Sequence, residues 1–150
     1  MPPRLRVYSL VLDTYIVIAG AEETMGQFSM FEAVIPPGGG PPPHRHLWED
    51  EAFYVLEGSV AFTIEGQLEE ALPGSFFRLP RGKLHSFKNN GTSPARLMFI
   101  TIPGGFEKFL EDCAKPLPHR NAKPDPLTAD EFESIIERAP LYGLELPRAF

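Results

Sequence analysis

Two histidines and a glutamate lie close together within residues 38–58, GGGPPPHRHLWEDEAFYVLEG. Three prolines directly precede His44 and exclude a helix, so in an extended segment His44 and His46 point to the same face. Glu51 follows five residues after His46, which leaves room for a bend before the next strand. His85 comes later in the chain, on another predicted strand. Together these residues make a candidate site of three imidazoles and one carboxylate.

The elements that must position this site are short strands. Alternating apolar residues, rich in branched and aromatic types and separated by glycine and proline, predict them. They cover residues 5–12, 14–20, 27–35, 52–57, 59–64, 67–72, 75–79, 83–88 and 95–102. The first two are predicted to join near Asp13 and Thr14. About ten short strands at this spacing indicate an all-β barrel or sandwich that is closed or doubled to hide its edges.

The pattern changes after the last predicted strand. Residues 104–114 predict a short amphipathic helix. Residues 115–127, which include four prolines and show no alternation, predict a loop. Thr128 and Glu131 then have the capping-box spacing that opens a helix ending at Arg138. A tail of this kind is expected to add helices to the β barrel.

A chain of 150 residues is long enough for one domain with a sizeable core. We predict a barrel over residues 1–103 and a C-terminal extension over residues 104–150 that packs on the barrel and is too short to be an independent domain. The extension is expected to cover the outside of the barrel or to contribute to a dimer contact. An exposed apolar face on the strand at residues 5–12 favours a homodimer.

Composition excludes several classes of partner. The formal net charge is -6 and no basic face is evident, so we expect no nucleic-acid partner. Hydrophobic residues make up 43% of the chain and charged residues 23%, which is ordinary for a globular protein. No apolar stretch approaches the length of a membrane span. We therefore expect a small-molecule substrate and no membrane partner.

The N-terminal residues allow two interpretations. Arg4 and Arg6 precede an apolar run that ends at residues 19–21, Ala-Gly-Ala, and this arrangement is similar to a signal peptide. Asp13 interrupts the run, however, and the alternation of its apolar residues fits two short strands better. We therefore expect the residues to belong to the barrel and the protein to be cytoplasmic.

The spacing of these residues resembles the two sequence motifs of the cupin superfamily. Residues 38–58 match the first motif, G(X)5HXH(X)4E(X)6G, and residues 74–89 match the second, G(X)5PXG(X)2H(X)3N, without a mismatch. Two spaced patterns are far more specific than an isolated histidine pair. The fixed positions are Gly38, His44, His46, Glu51, Gly58, Gly74, Pro80, Gly82, His85 and Asn89.

The resemblance also predicts the fold. Membership of the superfamily implies a double-stranded β-helix, also called a cupin or jelly-roll barrel, with a metal inside one end. The segment PGGFE at residues 103–107 is also similar, more loosely, to the helical extension of small single-domain cupins described as quercetin-dioxygenase-like.

By the same resemblance, the metal ligands would be His44, His46, Glu51 and His85. Neutral imidazoles with one carboxylate suit one divalent transition metal, such as Fe, Mn, Ni, Cu or Zn, and the lack of a thiolate argues against a structural zinc cage. Four protein ligands leave up to two octahedral positions open for a substrate oxygen and a water or dioxygen. Glu49 shares strand parity with Glu51 and could compete as a ligand, although the motif spacing favours Glu51.

Strand alternation also predicts the walls of the pocket. Phe53, Val55 and Phe87 should face inward with the ligands, whereas Tyr54 and Lys88 should face outward. On this register no lysine or arginine beside a ligand faces inward. We therefore expect a mostly apolar pocket that suits an aromatic or other flat substrate better than a phosphorylated sugar.

Three functions fit these expectations, and the fold alone does not choose among them. The complete ligand set and its apolar neighbours favour a metal-dependent dioxygenase, an oxidoreductase that acts on a small aromatic or flavonol-like compound. In that scheme the resemblance gives Glu51 a second, catalytic role as the base that takes the substrate's proton. A metal-dependent isomerase or lyase on a polar small molecule would need Arg78 or Arg96 in the pocket. A non-catalytic small-molecule-binding protein is the third possibility.

Overall fold

The structure is a computed structural model that describes residues 6–147, and most of its elements are β-strands. The strands are β1 (Arg6–Leu10), β2 (Asp13–Ala19), β3 (Ser29–Ile35), β4 (Arg45–His46), β5 (Asp50–Glu57), β6 (Val60–Ile64), β7 (Gln67–Ala71), β8 (Phe76–Leu79), β9 (His85–Lys88), β10 (Ala95–Ile102), β11 (Lys115–Leu117) and β12 (Leu144–Glu145). The helices are α1 (Glu107–Cys113), α2 (Ala129–Arg138) and a 3-10 helix (Ala139–Tyr142). The predicted all-β class with short C-terminal helices is confirmed. Within residues 6–147, no helix has the length and apolar composition needed to cross a membrane.

The strands form a large and a small antiparallel sheet with the core between them. The large sheet has the order β11-β1-β2-β3-β10-β5-β8, the small sheet has the order β7-β6-β9, and β12 pairs separately with β4. Phe53 of the large sheet packs edge-on against Phe62 and Phe87 of the small sheet, with ring centroids 5.4 and 5.8 Å apart. Within the large sheet, Phe99 stacks on Phe31 at 4.7 Å. These aromatic pairs join the two sheets into one barrel.

The first hairpin differs from its prediction. Its turn lies at Val11 and Leu12 rather than near Asp13 and Thr14, and Val11 has a positive φ of 59°. Asp13 is the first residue of β2 and is buried. Its Oδ1 accepts a hydrogen bond from the backbone N–H of Gly40 at 3.0 Å. Asp13 therefore faces inward and accepts a hydrogen bond from the glycine-rich segment. Local turn chemistry does not indicate this contact.

The loop predicted over residues 115–127 is wrong at its start, because β11 pairs there with β1. This pairing covers the edge of β1, and Val7 within that strand is only 3% exposed. Leu12, just after β1, is 51% exposed, and the expected homodimer stays a prediction. Arg4 and the predicted strand start at residue 5 lie outside the described residues.

Helix α2 begins with the capping box that its sequence predicts. The Oγ1 of Thr128 accepts a hydrogen bond from the Glu131 N–H at 3.2 Å, and the Thr128 N–H donates to the Glu131 carboxylate at 3.4 Å. After the 3-10 helix the chain turns at Gly143, and Leu144 of β12 pairs with His46 of β4. The tail thus returns to the strand that carries one of the predicted ligands, which the sequence did not indicate.

Gly143 allows Trp48 to approach the turn before β12. Its φ is 69°, and a Cβ at this position would lie 2.4 Å from Cδ2 of Trp48. Only glycine avoids both the backbone strain and this overlap. The backbone N–H of Leu47 also donates to the Gly143 carbonyl at 2.7 Å. Leu47 and Trp48 together fix the direction in which the tail enters β12.

Asn89, the last residue of the second motif, is buried and joins several segments. Its Nδ2 donates to the carbonyl oxygens of Ile35 and Ser93 at 2.9 and 2.8 Å, and its Oδ1 accepts from the Gly91 N–H at 2.9 Å. The Asn89 backbone also exchanges hydrogen bonds with the glycine-rich segment that opens the first motif. The two motifs are therefore tied together at this residue.

We expect Asn89→Ala to lower the free energy of unfolding by about 3 kcal/mol, because it leaves at least one buried carbonyl without a donor. Asn90→Ala is the matched control, since Asn90 is the next residue and is exposed. Its effect should stay within about 0.5 kcal/mol. Denaturant titration of both variants measures the difference. Equal stability of the two variants would contradict the structural role of Asn89.

Candidate metal centre

The four side chains predicted as ligands lie together inside the barrel. One ligand atom from each of His44, His46, Glu51 and His85 lies within 4.8 Å of the others, and all four residues are buried. His46 belongs to β4, Glu51 to β5 and His85 to the start of β9. His44 precedes β4 and exchanges two backbone hydrogen bonds with His85, both at 3.0 Å. Three neighbouring segments therefore supply one cluster that could hold a metal ion.

An acceptor outside the cluster holds one ring nitrogen of each histidine. The Nδ1 atom of His44 lies 2.8 Å from the Pro42 carbonyl, and that of His85 lies 3.1 Å from the Lys83 carbonyl. A carbonyl can only accept, so both rings carry their proton on Nδ1. Their Nε2 atoms then offer lone pairs to the centre of the cluster. Nitrogen ligands of metals are commonly oriented in this way.

The third histidine is held by Glu49, the residue that could have competed with Glu51 as a ligand. The Oε2 of Glu49 lies 3.2 Å from Nδ1 of His46, and its side chain is buried. Glu49 thus contacts the ring nitrogen opposite to the Nε2 that approaches Glu51. The geometry therefore favours Glu51 as the inner carboxylate and gives Glu49 the role of orienting the ring.

The inward-facing atoms are short of partners. The Oε1 of Glu51 lies 3.2 Å from Nε2 of both His46 and His85. Although these distances are short, neither Glu51 Oε1 nor His85 Nε2 forms an aligned hydrogen bond with any residue of the described range 6–147. An imidazole lone pair and a carboxylate oxygen repel each other unless a cation lies between them. The donor set therefore fits a bound metal cation.

The pKa shifts of His44 and Glu51 suit cation binding, whereas that of His46 opposes it. Burial lowers the pKa of His44 to about 3, and the neighbouring imidazoles of His85 and His46 act in the same direction. Burial tends to raise the pKa of Glu51, but the imidazoles, His46 first, outweigh it and lower this pKa below its usual value. Burial also tends to lower the pKa of His46, whereas Glu51 and Glu49 more than reverse that effect. At neutral pH the site therefore presents an ionised carboxylate and a neutral His44.

A cavity of about 740 Å³ opens beside the cluster, and most of its wall is apolar. Phe53 and Phe87 face inward, whereas Tyr54 and Lys88 are exposed, as strand alternation predicts. The aromatic residues of the wall are Tyr15, Phe53, Phe87, Phe99, Phe106, Phe109 and Phe132. The predicted apolar pocket is therefore present.

No lysine or arginine within residues 6–147 lines this cavity. The Nε of Arg96 donates to Glu32 at 2.8 Å, and its Nη1 lies 3.1 Å from a carboxylate oxygen of Glu57. Arg78 is exposed on β8. The two basic residues that an isomerase or lyase would need in the pocket are therefore outside it.

Sequence reasoning missed a buried acid near the cavity wall. The Oδ2 of Asp13 lies 3.3 Å from the hydroxyl of Tyr15, which lines the cavity. Burial raises the pKa of Asp13 to about 7, although the Gly40 N–H and the Tyr15 hydroxyl act to lower it. Burial, followed by the charge of Asp13, raises the pKa of Tyr15 as well. A lone charged residue inside an apolar alternating run was the available signal for this inward carboxyl.

Sequence reasoning also missed how much of the cavity wall comes from the tail. Phe106, which precedes α1, packs edge-on against the His46 ring with centroids 4.8 Å apart. Helix α2 contributes Phe132 and Ile136, and the segment after β12 contributes Leu146. Strand β11 extends the edge of the large sheet, whereas α2 and residues 146–147 line the cavity. The expected packing of the whole extension on the barrel stays a prediction.

The sequence of this chain is similar to a known protein family and to several characterised proteins. Residues 31–101 match the family model described as Cupin domain. Quercetin 2,3-dioxygenase of Bacillus subtilis (strain 168) is 29% identical over 100 residues, which are 67% of this chain and 29% of that protein. The rhicadhesin receptor of Pisum sativum is 38% identical over 122 residues, which are 77% of this chain and 54% of that protein. The chain thus spans about half or less of the length of these curated relatives.

A solved structure supports the same assignment of the fold. The structure described as a predicted oxalate decarboxylase from Thermotoga maritima matches with a TM-score of 0.63 and 18% identity, covering 67% of this chain and 94% of that chain. At this identity the likeness concerns the fold alone. The double-stranded β-helix expected from the two motifs is therefore confirmed.

Proposed function

Because the chain belongs to the cupin superfamily, we propose that it is a metal-dependent dioxygenase acting on a small aromatic or flavonol-like compound. The observation that carries this proposal is the buried cluster of three histidines and one glutamate at the wall of a mostly apolar cavity. The name of the Bacillus relative, quercetin 2,3-dioxygenase, points to the same class of chemistry. A flat aromatic substrate also matches the aromatic side chains of the wall.

The proposal assigns His44, His46, Glu51 and His85 as ligands of one divalent first-row metal. Three observations support this assignment. Each Nδ1 has a partner outside the cluster, the inward atoms of Glu51 and His85 lack hydrogen-bond partners, and the site lacks a thiolate. Such a nitrogen and oxygen set suits several transition metals and leaves open positions for chemistry.

Glu49 offers a test of the ligand assignment that leaves all four ligands in place. We expect Glu49→Ala to weaken metal binding about 10- to 100-fold, because His46 loses the acceptor that orients its ring. Glu49→Gln should lose much less, since an amide oxygen can still accept from Nδ1. Glu70→Ala, at an exposed position on β7, is the control. Competition with a chelating dye measures the affinities, and equal affinity of the alanine variants would contradict the orienting role.

In the proposed mechanism, a bound metal ion would polarise the substrate oxygen and provide a redox centre for reaction with dioxygen. Glu51 is ionised, and its carboxylate can accept the proton of a substrate hydroxyl that reaches the cluster. Phe53 and Phe87 bound the space beside the cluster and would hold the substrate ring against it. The apolar wall also keeps water away from the reacting oxygen, which strengthens the interaction of Glu51 with the substrate proton.

An isomerase or lyase acting on a polar small molecule is less well supported. Its substrate would need basic groups in the cavity, and Arg78 and Arg96 lie outside it. Simple binding of a small molecule without turnover needs only the cavity and the cluster. It is therefore a possible result of the experiment below.

The decisive experiment is elemental analysis of protein purified without added metal, followed by oxygen-uptake assays on the same sample. We expect a first-row metal and oxygen consumption with a flavonol or a catechol. His85→Ala, which removes a proposed ligand, is the control for uptake that depends on the site. Background uptake by metal-containing protein with all these compounds would exclude the proposed dioxygenase and leave binding as the function.

A further inference from the structure

The part of the cavity wall farthest in sequence from the two motifs belongs to the C-terminal tail. Phe132 and Ile136 of α2 line it together with Leu146. Phe132 is 41% exposed, so its ring lies where the cavity meets solvent. The family model covers residues 31–101, so this part of the cavity wall lies outside the residues that the model matches.

Two carboxylates accompany these apolar residues. Glu133 and Glu137 are one helical turn apart on α2, both line the cavity, and both are exposed. Within residues 6–147, neither forms an ion pair with a lysine or arginine. With Glu51 at the inner end, the described cavity wall carries three acidic side chains and no basic one. The end of the cavity formed by α2 is therefore acidic.

We propose that α2 determines the substrate specificity of this site: Phe132 and Ile136 receive the end of a flat aromatic substrate remote from the cluster, while Glu133 and Glu137 exclude substrates with a carboxylate or phosphate at that end. This inference rests on the proposed function, because it assumes that the substrate oxygen enters the four-residue cluster. The substrate class is then an uncharged aromatic compound with a chelating oxygen at one end.

The physical reason is like-charge repulsion at a solvent-exposed entrance, which is strongest at low ionic strength. An anionic group that comes within a few ångströms of two glutamates loses part of its hydration and finds no compensating cation in the wall. A neutral ring instead loses only unfavourable contact with water when it packs on Phe132. The repulsion should weaken as salt is added, because both glutamates are exposed.

Two matched ligands test the inference: 3-hydroxyflavone and its 4'-carboxylate, which share the chelating oxygens and differ in charge at the opposite end. Calorimetric titration of the metal-containing protein at low ionic strength should show that the neutral compound binds about tenfold more tightly. The double variant Glu133→Gln/Glu137→Gln should reduce this ratio to about threefold or less, because the repulsion is removed. Charge reversal in Glu133→Lys/Glu137→Lys should make the carboxylate the better ligand.

Asp130→Asn is the matched control, since Asp130 is an exposed acid on the same helix that does not line the cavity. It should leave the ratio unchanged. Equal binding of the two ligands, a ratio that does not respond to the glutamine and lysine variants, or no binding of 3-hydroxyflavone would each overturn the inference.

The same titrations separate this inference from the proposed reaction. If 3-hydroxyflavone binds with the expected preference but no oxygen is consumed, the dioxygenase proposal fails and the role of α2 stands. If oxygen is consumed but the double glutamine variant keeps the wild-type binding ratio, the reaction stands and the role of α2 fails.

Discussion

His85→Ala is expected to remove nearly all bound metal while the barrel still folds. The Nε2 of His85 is a buried atom without a hydrogen-bond partner, 3.2 Å from the carboxylate of Glu51. Alanine removes one of the four donors at the centre of the cluster, and no other imidazole within the described range lies close enough to replace it. The backbone bridge between His44 and residue 85 uses main-chain atoms, so the strand pairing survives.

Lys88→Ala is the control for this experiment, because Lys88 lies on the same short strand and is exposed. Elemental analysis should give about one metal ion per chain for the wild type and for Lys88→Ala, and close to none for His85→Ala. A cooperative denaturant transition in both variants verifies folding. An unchanged metal content in His85→Ala would refute the ligand assignment, and loss of metal in Lys88→Ala would refute the strand register.

Asp13→Asn is expected to stabilise the protein by up to about 4 kcal/mol at about pH 8 and to have little effect at about pH 4. In the folded state, burial raises the pKa of Asp13 from 3.8 to about 7. At a pH between these two pKa values, the Asp13 carboxyl keeps its proton in the folded state but has lost it in the unfolded chain. Stability therefore falls as pH rises through this interval, and the full cost is present above the folded pKa. Asparagine carries no charge and keeps an oxygen for the Gly40 N–H.

The measurement is the free energy of unfolding of wild type and variant at several pH values, with chelator present so that metal binding does not contribute. Asp50→Asn is a control of opposite sign: the Arg81 N–H, followed by the Arg81 side chain, lowers the pKa of Asp50, so removing that carboxylate should not stabilise the protein at high pH. A difference between wild type and Asp13→Asn that does not change with pH would mean that Asp13 is ionised throughout. A stabilising substitution beside the cavity would indicate that the acid is retained for function.

The metal cluster could be predicted from sequence because its signals are local. Three prolines force an extended segment at His44 and His46, and glycine and proline positions fix the spacing to Glu51 and His85. Strand alternation then places Phe53 and Phe87 correctly, because neighbouring residues in a strand point to opposite faces. Each motif depends on residues that are close together in the chain, and the resemblance to the cupin motifs links the first motif to His85, which lies 34 positions after Glu51.

The rest of the site could not be predicted because it depends on contacts between distant segments. In the sequence, Asp13 has the properties of a turn residue. Its inward position depends on a hydrogen bond from the Gly40 N–H, which lies 27 positions later in the chain. Strand β12 has two residues, too few for a periodic pattern, and its partner β4 is also only two residues long. The apolar face of α2 predicts that the helix packs on something, but the sequence does not say that it packs over the cavity.

The pairing of Leu144 with His46 has a thermodynamic consequence. One strand of the β4–β12 pair carries His46, a proposed metal ligand. The other strand belongs to the tail that lines the cavity. Order in one strand therefore favours order in the other, and the free energy that couples them is the same in both directions. We therefore expect the binding of a metal ion at His46 and the ordering of the tail to favour each other.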